Sequence, residues 1–77
     1  MQLQIKYFGL LAEITNCNQE TMEFSKSYVS ELLDELYIKY PLLKQKDFKV
    51  AQNHEIVSND SKLANPEIAL LPPFSGG

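Results

Sequence analysis

The stretch SYVSELLDELYIKYP, residues 27–41, decides the fold because it carries the one long amphipathic helix pattern of the 77-residue chain. Its apolar residues recur at steps of three and four, which predicts a helix over residues 28–40 with one continuous apolar stripe. That stripe consists of Val29, Leu32, Leu33, Leu36, Tyr37 and Tyr40. Ser27 is the predicted N-cap, because its hydroxyl can accept a hydrogen bond from the first turn. Pro41 ends the helix, since the residue before a proline is disfavoured in helical dihedrals.

The first strand is predicted from the alternation of polar and apolar residues over positions 2–7. Period two places Leu3, Ile5 and Tyr7 on one face of this strand. Phe8 breaks the pattern, because it falls on the face that otherwise carries polar side chains. We therefore expect a large aromatic side chain on the more solvated side of the sheet.

The remaining elements are shorter, and together they indicate an α+β fold. Gly9 allows a change of direction before a short helical turn at 10–14, and a turn is predicted at 53–55. Further strands are predicted at 21–24, 48–52, 56–57 and 67–71, the last of which is apolar enough to be central. One long helix covering one sheet is the β-grasp, or ubiquitin-like, pattern, with a mixed sheet of four to five strands. A ferredoxin-like split βαβ fold would need a second long helix.

Length and composition restrict the chain to one small globular domain, residues 1–77. Apolar residues make up 44% and charged residues 22%, and the net charge is -3. The basic residues do not cluster, so nucleic acid is not expected as a partner. No apolar run approaches the roughly 20 residues of a membrane span. With Cys17 as the single cysteine, an internal disulfide is impossible, and we expect a cytoplasmic protein.

Catalysis by side chains is not predicted. His54 is the only histidine and falls in a turn, and Cys17 has no basic neighbour in sequence to lower its pKa. One Cys and one His cannot close a zinc site, so no metal is expected. Acidic residues of the helix, spaced three and four apart, are typical of a solvated face. These are Glu31, Asp34 and Glu35.

The sequence ends in PPFSGG, residues 72–77, and this tail is the candidate reactive segment. Pro72 and Pro73 lack N–H donors and fix φ, so strand pairing should end at Leu71 and continue as a stiff, extended stem. Gly76 and Gly77 have no Cβ and can thread a narrow channel. The Gly77 carboxylate would need activation, for which adenylation by ATP and attack by a sulfur nucleophile would give a thiocarboxylate. The alternative is a tail without function.

Four segments together resemble a known family: Tyr7-Phe8 at the end of the first strand, Leu11-Ala12-Glu13-Ile14, the helix from Val29 to Tyr40, and the ending Pro72-Pro73-Phe74-Ser75-Gly76-Gly77. The chain resembles MoaD, the small, sulfur-carrier subunit of molybdopterin synthase, over its whole length. The resemblance implies that Gly77 is adenylated by a MoeB-like activating enzyme, which uses ATP, and is then converted to a thiocarboxylate. It also implies that the carrier binds no cofactor and is itself catalytically silent.

The resemblance further implies how the carrier meets its partner, a MoaE-like large catalytic subunit. Phe8 and Leu71 match the apolar patch that packs on that subunit. Residues 72–75, which are Pro72, Pro73, Phe74 and Ser75, match the stem that is inserted with Gly76 and Gly77 into its active site. There the sulfur would pass to a cyclic pyranopterin precursor, in a heterotetramer of two small and two large subunits.

Three other interpretations stay open. A ThiS-like carrier of the thiamine pathway shares the fold and the glycines but usually lacks the double proline. A ubiquitin-like modifier would be conjugated to lysines through Gly77. A β-grasp binding module would have a tail with no chemical role.

Overall fold

Five strands and two α-helices follow one another in the computed structural model, which describes residues 1–64 and 66–73. Their bounds are β1 Gln2–Tyr7, α1 Leu10–Thr15, β2 Gln19–Glu23, α2 Val29–Lys39, β3 Lys49–Gln52, β4 Glu55–Val57 and β5 Glu67–Leu71. A 3-10 helix, Pro41–Gln45, lies between α2 and β3.

The strands form one mixed sheet in the order β2-β1-β5-β3-β4. β1 and β5 pair in parallel, with Tyr7 opposite Leu70, while the other neighbours are antiparallel. The predicted mixed sheet is thus confirmed, and β5 is its central strand. A parallel pair needs a long crossover connection, and here the crossover contains all the other elements.

The core lies between one face of this sheet and α2. Leu3, Ile5 and Tyr7 are buried, as the alternation in β1 predicted. The core continues with Leu11, Phe24, Val29, Leu32, Leu33, Leu36, Leu43, Val50, Ile68 and Leu70. Each fully buried side chain of this kind contributes roughly 1.5–3 kcal/mol of hydrophobic free energy. The apolar stripe of α2 is therefore the main cover of the sheet.

The N-terminus of α2 differs from the prediction. The N-cap position is Tyr28, with extended backbone, and the helix begins at Val29, so the prediction of Ser27 as N-cap is wrong. Glu31 Oε1 accepts hydrogen bonds from the backbone N–H groups of Tyr28 and Ser27, at 3.1 and 3.2 Å. A helix start favours this carboxylate electrostatically, so Glu31 is a capping residue as well as a surface residue.

The 3-10 helix was not predicted. Leu43 is fully buried there, whereas its neighbour Leu42 is 56% exposed. Pro41 ends α2 as predicted and occupies the start of the next short helix, where a missing N–H has no consequence. This segment closes the core beside α1 and α2.

Candidate functional site

The face of the sheet opposite α2 carries an apolar groove of about 320 Å³, here called the open-face groove. Side chains from the ends of β1 and β5 and from the β3–β4 hairpin surround it. Its lining consists of Lys6, Phe8, Ala51, Asn53, His54, Ile56, Glu67, Ile68, Ala69 and Leu71. An apolar concavity with a polar rim is typical of a binding surface.

Phe8 and Leu71, the two predicted partner-binding residues, both line this groove. Phe8 is 45% exposed, as its position on the polar side of β1 predicted, and Leu71 is partly buried. The Phe8 backbone N–H donates a hydrogen bond to the Leu70 carbonyl oxygen at 3.2 Å, which extends the parallel pairing by one residue. The ends of β1 and β5 therefore present these two side chains on one surface. Their role in binding a partner stays a prediction.

Ile56 was not predicted to belong to the site. It is 58% exposed on β4 and lines the same groove as Phe8. The turn before it places Asn53 and His54 at φ of 52° and 65°, the two positive values that a two-residue hairpin turn requires. A predicted strand of only two residues has no alternation that could identify its exposed face. Pairing of Ala51 with Ile56 decides that face instead.

The rim of the groove is polar and contains a weak, solvent-exposed ion pair. Lys6 Nζ lies 3.6 Å from Glu67 Oε2, and the two side chains are 38% and 51% exposed. Such a solvated ion pair contributes about 0–1 kcal/mol. We infer that this pair flanks the apolar surface and does not determine its shape.

The chain leaves the sheet beside this groove. Leu71 pairs with Lys49 at the end of β5, after which Pro72 is partly buried and Pro73 is exposed. Pro72 packs on Gly9, where a Cβ atom would lie 3.2 Å from Pro72 Cγ. The remaining predicted tail residues, Phe74, Ser75, Gly76 and Gly77, lie outside the described residues.

A polar cluster around Glu20, which we call the Glu20 cluster, joins β2 to β1 and to the end of α2. The Glu20 carboxylate accepts hydrogen bonds from the hydroxyls of Tyr7, at 2.8 Å, and Tyr40, and it pairs with the Lys39 ammonium. The Tyr7 and Tyr40 rings meet edge to face with centroids 6.1 Å apart. These groups sit on the helix side of the sheet, so we interpret the cluster as structural.

Ionisation in the Glu20 cluster follows from burial and hydrogen bonding. Burial opposes the charge on Glu20, but hydrogen bonds from Lys39, Tyr40 and Tyr7 outweigh it and lower its pKa below the ordinary value. Burial, together with hydrogen bonding to that carboxylate, raises the pKa of both tyrosines far above the ordinary value of 10.0. The carboxylate is therefore charged and both phenols are neutral at physiological pH.

Neither a metal-ligand cluster nor a membrane-spanning helix is found among the described residues. Within 1–64 and 66–73, no three His, Cys, Asp or Glu side chains lie together as metal ligands would. Over the same ranges, no helix is both long enough and apolar enough to cross a membrane. Cys17 is partly buried, with its Sγ 3.8 Å from the Glu20 carboxylate.

A mixed five-stranded sheet covered by one main helix, with an open apolar face, defines a small β-grasp protein of the ubiquitin-like class. A family model described as the ThiS family matches residues 5–77. The chain belongs to the ThiS family.

One relative is similar along the whole chain, and two solved structures share the fold. The molybdopterin synthase sulfur carrier subunit of Chlamydomonas reinhardtii is 31% identical over 83 residues, covering 100% of both chains. Molybdopterin converting factor, subunit 1, from Pyrococcus furiosus superposes with a TM-score of 0.86 at 21% identity, covering 96% of this chain and 99% of that one. Small archaeal modifier protein 1 of Haloferax volcanii superposes with a TM-score of 0.80 at 24% identity, covering 95% of this chain and 98% of that one. The predicted resemblance and the predicted β-grasp fold are both confirmed.

Proposed function

We propose that this chain is the sulfur carrier subunit of a molybdopterin synthase. The observation that carries the proposal is the full-length similarity, at 31% identity, to the sulfur carrier subunit of Chlamydomonas reinhardtii. The open-face groove supports it, because a carrier must dock on other proteins and this face offers an apolar surface with Phe8 and Leu71.

The reactive group of the proposal is the carboxylate of Gly77. A carboxylate is a poor acyl donor, so a MoeB-like activating enzyme first joins it to AMP from ATP and releases pyrophosphate. A sulfur nucleophile at the oxidation level of sulfide then attacks the carbonyl carbon, AMP leaves, and a thiocarboxylate remains. Neither step uses a side chain, cofactor or metal of this chain, which acts as a substrate of its partners and not as an enzyme.

The acceptor of the sulfur is a cyclic pyranopterin precursor held by a MoaE-like large subunit. Phe8 and Leu71, together with Ile56, form the surface that docks on that subunit, while residues 72–77 enter its active site. Pro72 and Pro73 suit this role, because proline stiffens the stem and lessens the entropy lost on insertion. The assembly proposed is a cytoplasmic heterotetramer of two carriers and two large subunits.

A ThiS-like carrier is the second candidate, favoured by the family model that matches the chain. It would use the same carboxylate chemistry but deliver sulfur to a different acceptor. The double proline before the glycines argues for the molybdopterin role. A protein modifier conjugated through Gly77 is the third candidate, and a β-grasp binding module without tail chemistry is the fourth.

Mass spectrometry after reaction of the chain with a MoeB-like enzyme, ATP and a sulfide donor tests the proposal. We expect the C-terminal peptide to gain the mass difference between sulfur and oxygen. The thiocarboxylated chain, mixed with a MoaE-like subunit and the pterin precursor, should then form molybdopterin. Isopeptide-linked adducts alone would support the modifier, and a thiocarboxylate that supplies sulfur only to thiazole synthesis would support the ThiS-like carrier. The binding module would be supported if the wild-type chain gained no mass in this reaction and a variant that lacks Gly77 kept the biological activity of the wild-type chain.

A further inference from the structure

We propose that Gly9 is a positioning residue for the reactive tail, because it forms the platform on which Pro72 rests as the chain leaves the sheet. This inference depends on the proposed sulfur-carrier function. In that function, the direction of the chain after β5 depends on Gly9, a residue far from the tail in sequence.

The backbone at Gly9 has φ 58° and ψ -135°, a combination that residues with a Cβ rarely adopt. A Cβ added at this position would lie 3.2 Å from Pro72 Cγ, and 3.9 Å from both Pro72 Cβ and Pro72 Cδ. Carbon atoms in ordinary contact are separated by about 3.5–4.0 Å. The three atoms nearest to this position all belong to the Pro72 ring. The ring therefore occupies the space that only glycine leaves free.

The platform is held from both sides. On one side, the Phe8 N–H is bonded to the Leu70 carbonyl oxygen, so the ends of β1 and β5 are fixed side by side. On the other side, the Leu11 N–H donates to the Phe8 carbonyl oxygen and the Ala12 N–H to the Gly9 carbonyl oxygen, each at 3.1 Å. Leu11 itself is buried in the core. Gly9 therefore cannot move without disturbing α1 or the central strand pair.

Pro72 connects the Gly9 platform to the tail, because it packs on Gly9 and directly precedes Pro73. Its ring fixes φ and it has no N–H, so its direction depends on where the ring packs. Pro73 is exposed, and its backbone continues in the direction set by Pro72. Contact between Pro72 and Gly9 thus determines the direction in which Pro73 continues from the sheet.

Loss of the Gly9–Pro72 contact should affect the chemical step at the tail more than docking of the domain. We take the open-face groove, with Phe8, Ile56 and Leu71, to dock on the activating enzyme as well as on the large subunit. These side chains remain in place when the Gly9–Pro72 contact is lost. A misdirected tail reaches the adenylation site less often, and misplacement by about 1 Å can lower a rate on the order of 100-fold. Loss of the contact should therefore lower kcat for the activating enzyme and leave KM for the carrier nearly unchanged.

The test compares Gly9→Ala, Pro72→Ala, Pro73→Ala and the Gly9→Ala/Pro72→Ala double variant as substrates of a MoeB-like enzyme, measured by pyrophosphate release. We expect Gly9→Ala to lower kcat by about 10- to 100-fold with KM within about twofold. Pro72→Ala should lower kcat more than Pro73→Ala, which removes an equally stiff but exposed residue. The double variant should lose less than the product of the two single losses, because both changes remove one contact.

Several results would overturn the inference while the proposed function stands. These are wild-type kcat for Gly9→Ala, equal losses for Pro72→Ala and Pro73→Ala, or losses that multiply in the double variant. If Gly9→Ala does not fold, Pro72→Ala and Pro73→Ala still decide the matter, since neither introduces a strained backbone at position 9. A nuclear Overhauser contact between the Gly9 α protons and the Pro72 ring is expected in the free carrier, and its absence would also overturn the inference. If the wild-type chain itself releases no pyrophosphate, the proposed function fails instead.

Discussion

The Tyr7 hydroxyl donates a hydrogen bond of 2.8 Å to Glu20 Oε2, which ties the first strand to the edge strand β2 on the helix side of the sheet. Tyr40 donates to the same oxygen from the end of α2, so one carboxylate links three elements. The Glu20 side chain is only 13% exposed. A single substitution at position 20 should therefore affect the sheet edge and the helix end together.

Replacement Glu20→Gln should lower the free energy of unfolding at pH 7 by about 1–3 kcal/mol, because it removes charged hydrogen bonds at a site with little solvent. The pKa of Glu20 is lowered in the folded protein, so its stabilisation is present above its ordinary pKa of 4.5 and is lost as pH falls through the folded value. Urea unfolding between pH 7 and pH 3 measures both effects. The difference between wild type and variant should shrink on acidification. Glu23→Gln, at a side chain that is 71% exposed, is the matched control and should change little.

Replacement Phe8→Asp should weaken binding to a MoaE-like subunit at least about tenfold, because a buried aromatic anchor at an interface contributes roughly 2 kcal/mol or more. The domain should stay folded, since Phe8 is 45% exposed. Titration calorimetry with the large subunit measures the affinity. Ile38→Asp is the control, because Ile38 is 81% exposed on α2, away from the open-face groove. Equal effects of the two variants would remove Phe8 from the interface.

Replacement Leu43→Ala should destabilise the domain by about 2–5 kcal/mol, the usual range for a fully buried leucine. Its neighbour Leu42 is 56% exposed, and Leu42→Ala should change the stability by about 0.5 kcal/mol or less. Urea unfolding of the two variants compares the inner and outer sides of the 3-10 helix. Similar losses for both would contradict the packing described for this segment.

Replacement His54→Gly should stabilise the β3–β4 hairpin, because His54 has a φ of 65° that favours glycine. A non-glycine residue in left-handed backbone costs roughly 1–2 kcal/mol, and recovering about 1 kcal/mol would raise Tm by about 4–8 °C in a domain of this size. Thermal unfolding measures the shift. Glu55→Gly places glycine in strand β4 instead and should lower Tm. A lower Tm for His54→Gly would show that the imidazole makes a stabilising contact.

The strongly periodic segments could be predicted from sequence, and the segments decided by packing could not. Alternation in β1 identified the buried face and the exposure of Phe8, and the stripe of α2 identified four core residues. The N-cap was placed one residue too early, because Ser27 has the right side chain but Glu31 supplies the capping oxygen. Strand β2 spans Gln19–Glu23, where 21–24 was predicted, since pairing of Gln19 with Lys6 extends it and Phe24 lies beyond its end.

The candidate site was predicted in part. Phe8 and Leu71 were predicted to bind a partner and both line the open-face groove, while their role in binding stays a prediction. Ile56 was missed, because its exposure depends on the pairing of β4 with β3 and a two-residue pattern does not reveal it. Pro72 was recognised as a stiff element, but its contact with Gly9 joins residues from opposite parts of the sequence. No local pattern could have indicated that contact.

The parallel pairing of β1 with β5 has a consequence for synthesis of the protein. Of the five strands, β1 leaves the ribosome first and β5, the middle strand of the sheet, leaves it after the other four. Until β5 emerges, β1 has only β2 to pair with, and the groove that contains Phe8 and Leu71 does not yet exist. A nascent chain that lacks β5 therefore cannot present the open-face groove, and a partner that binds this groove would bind only molecules whose sheet is complete.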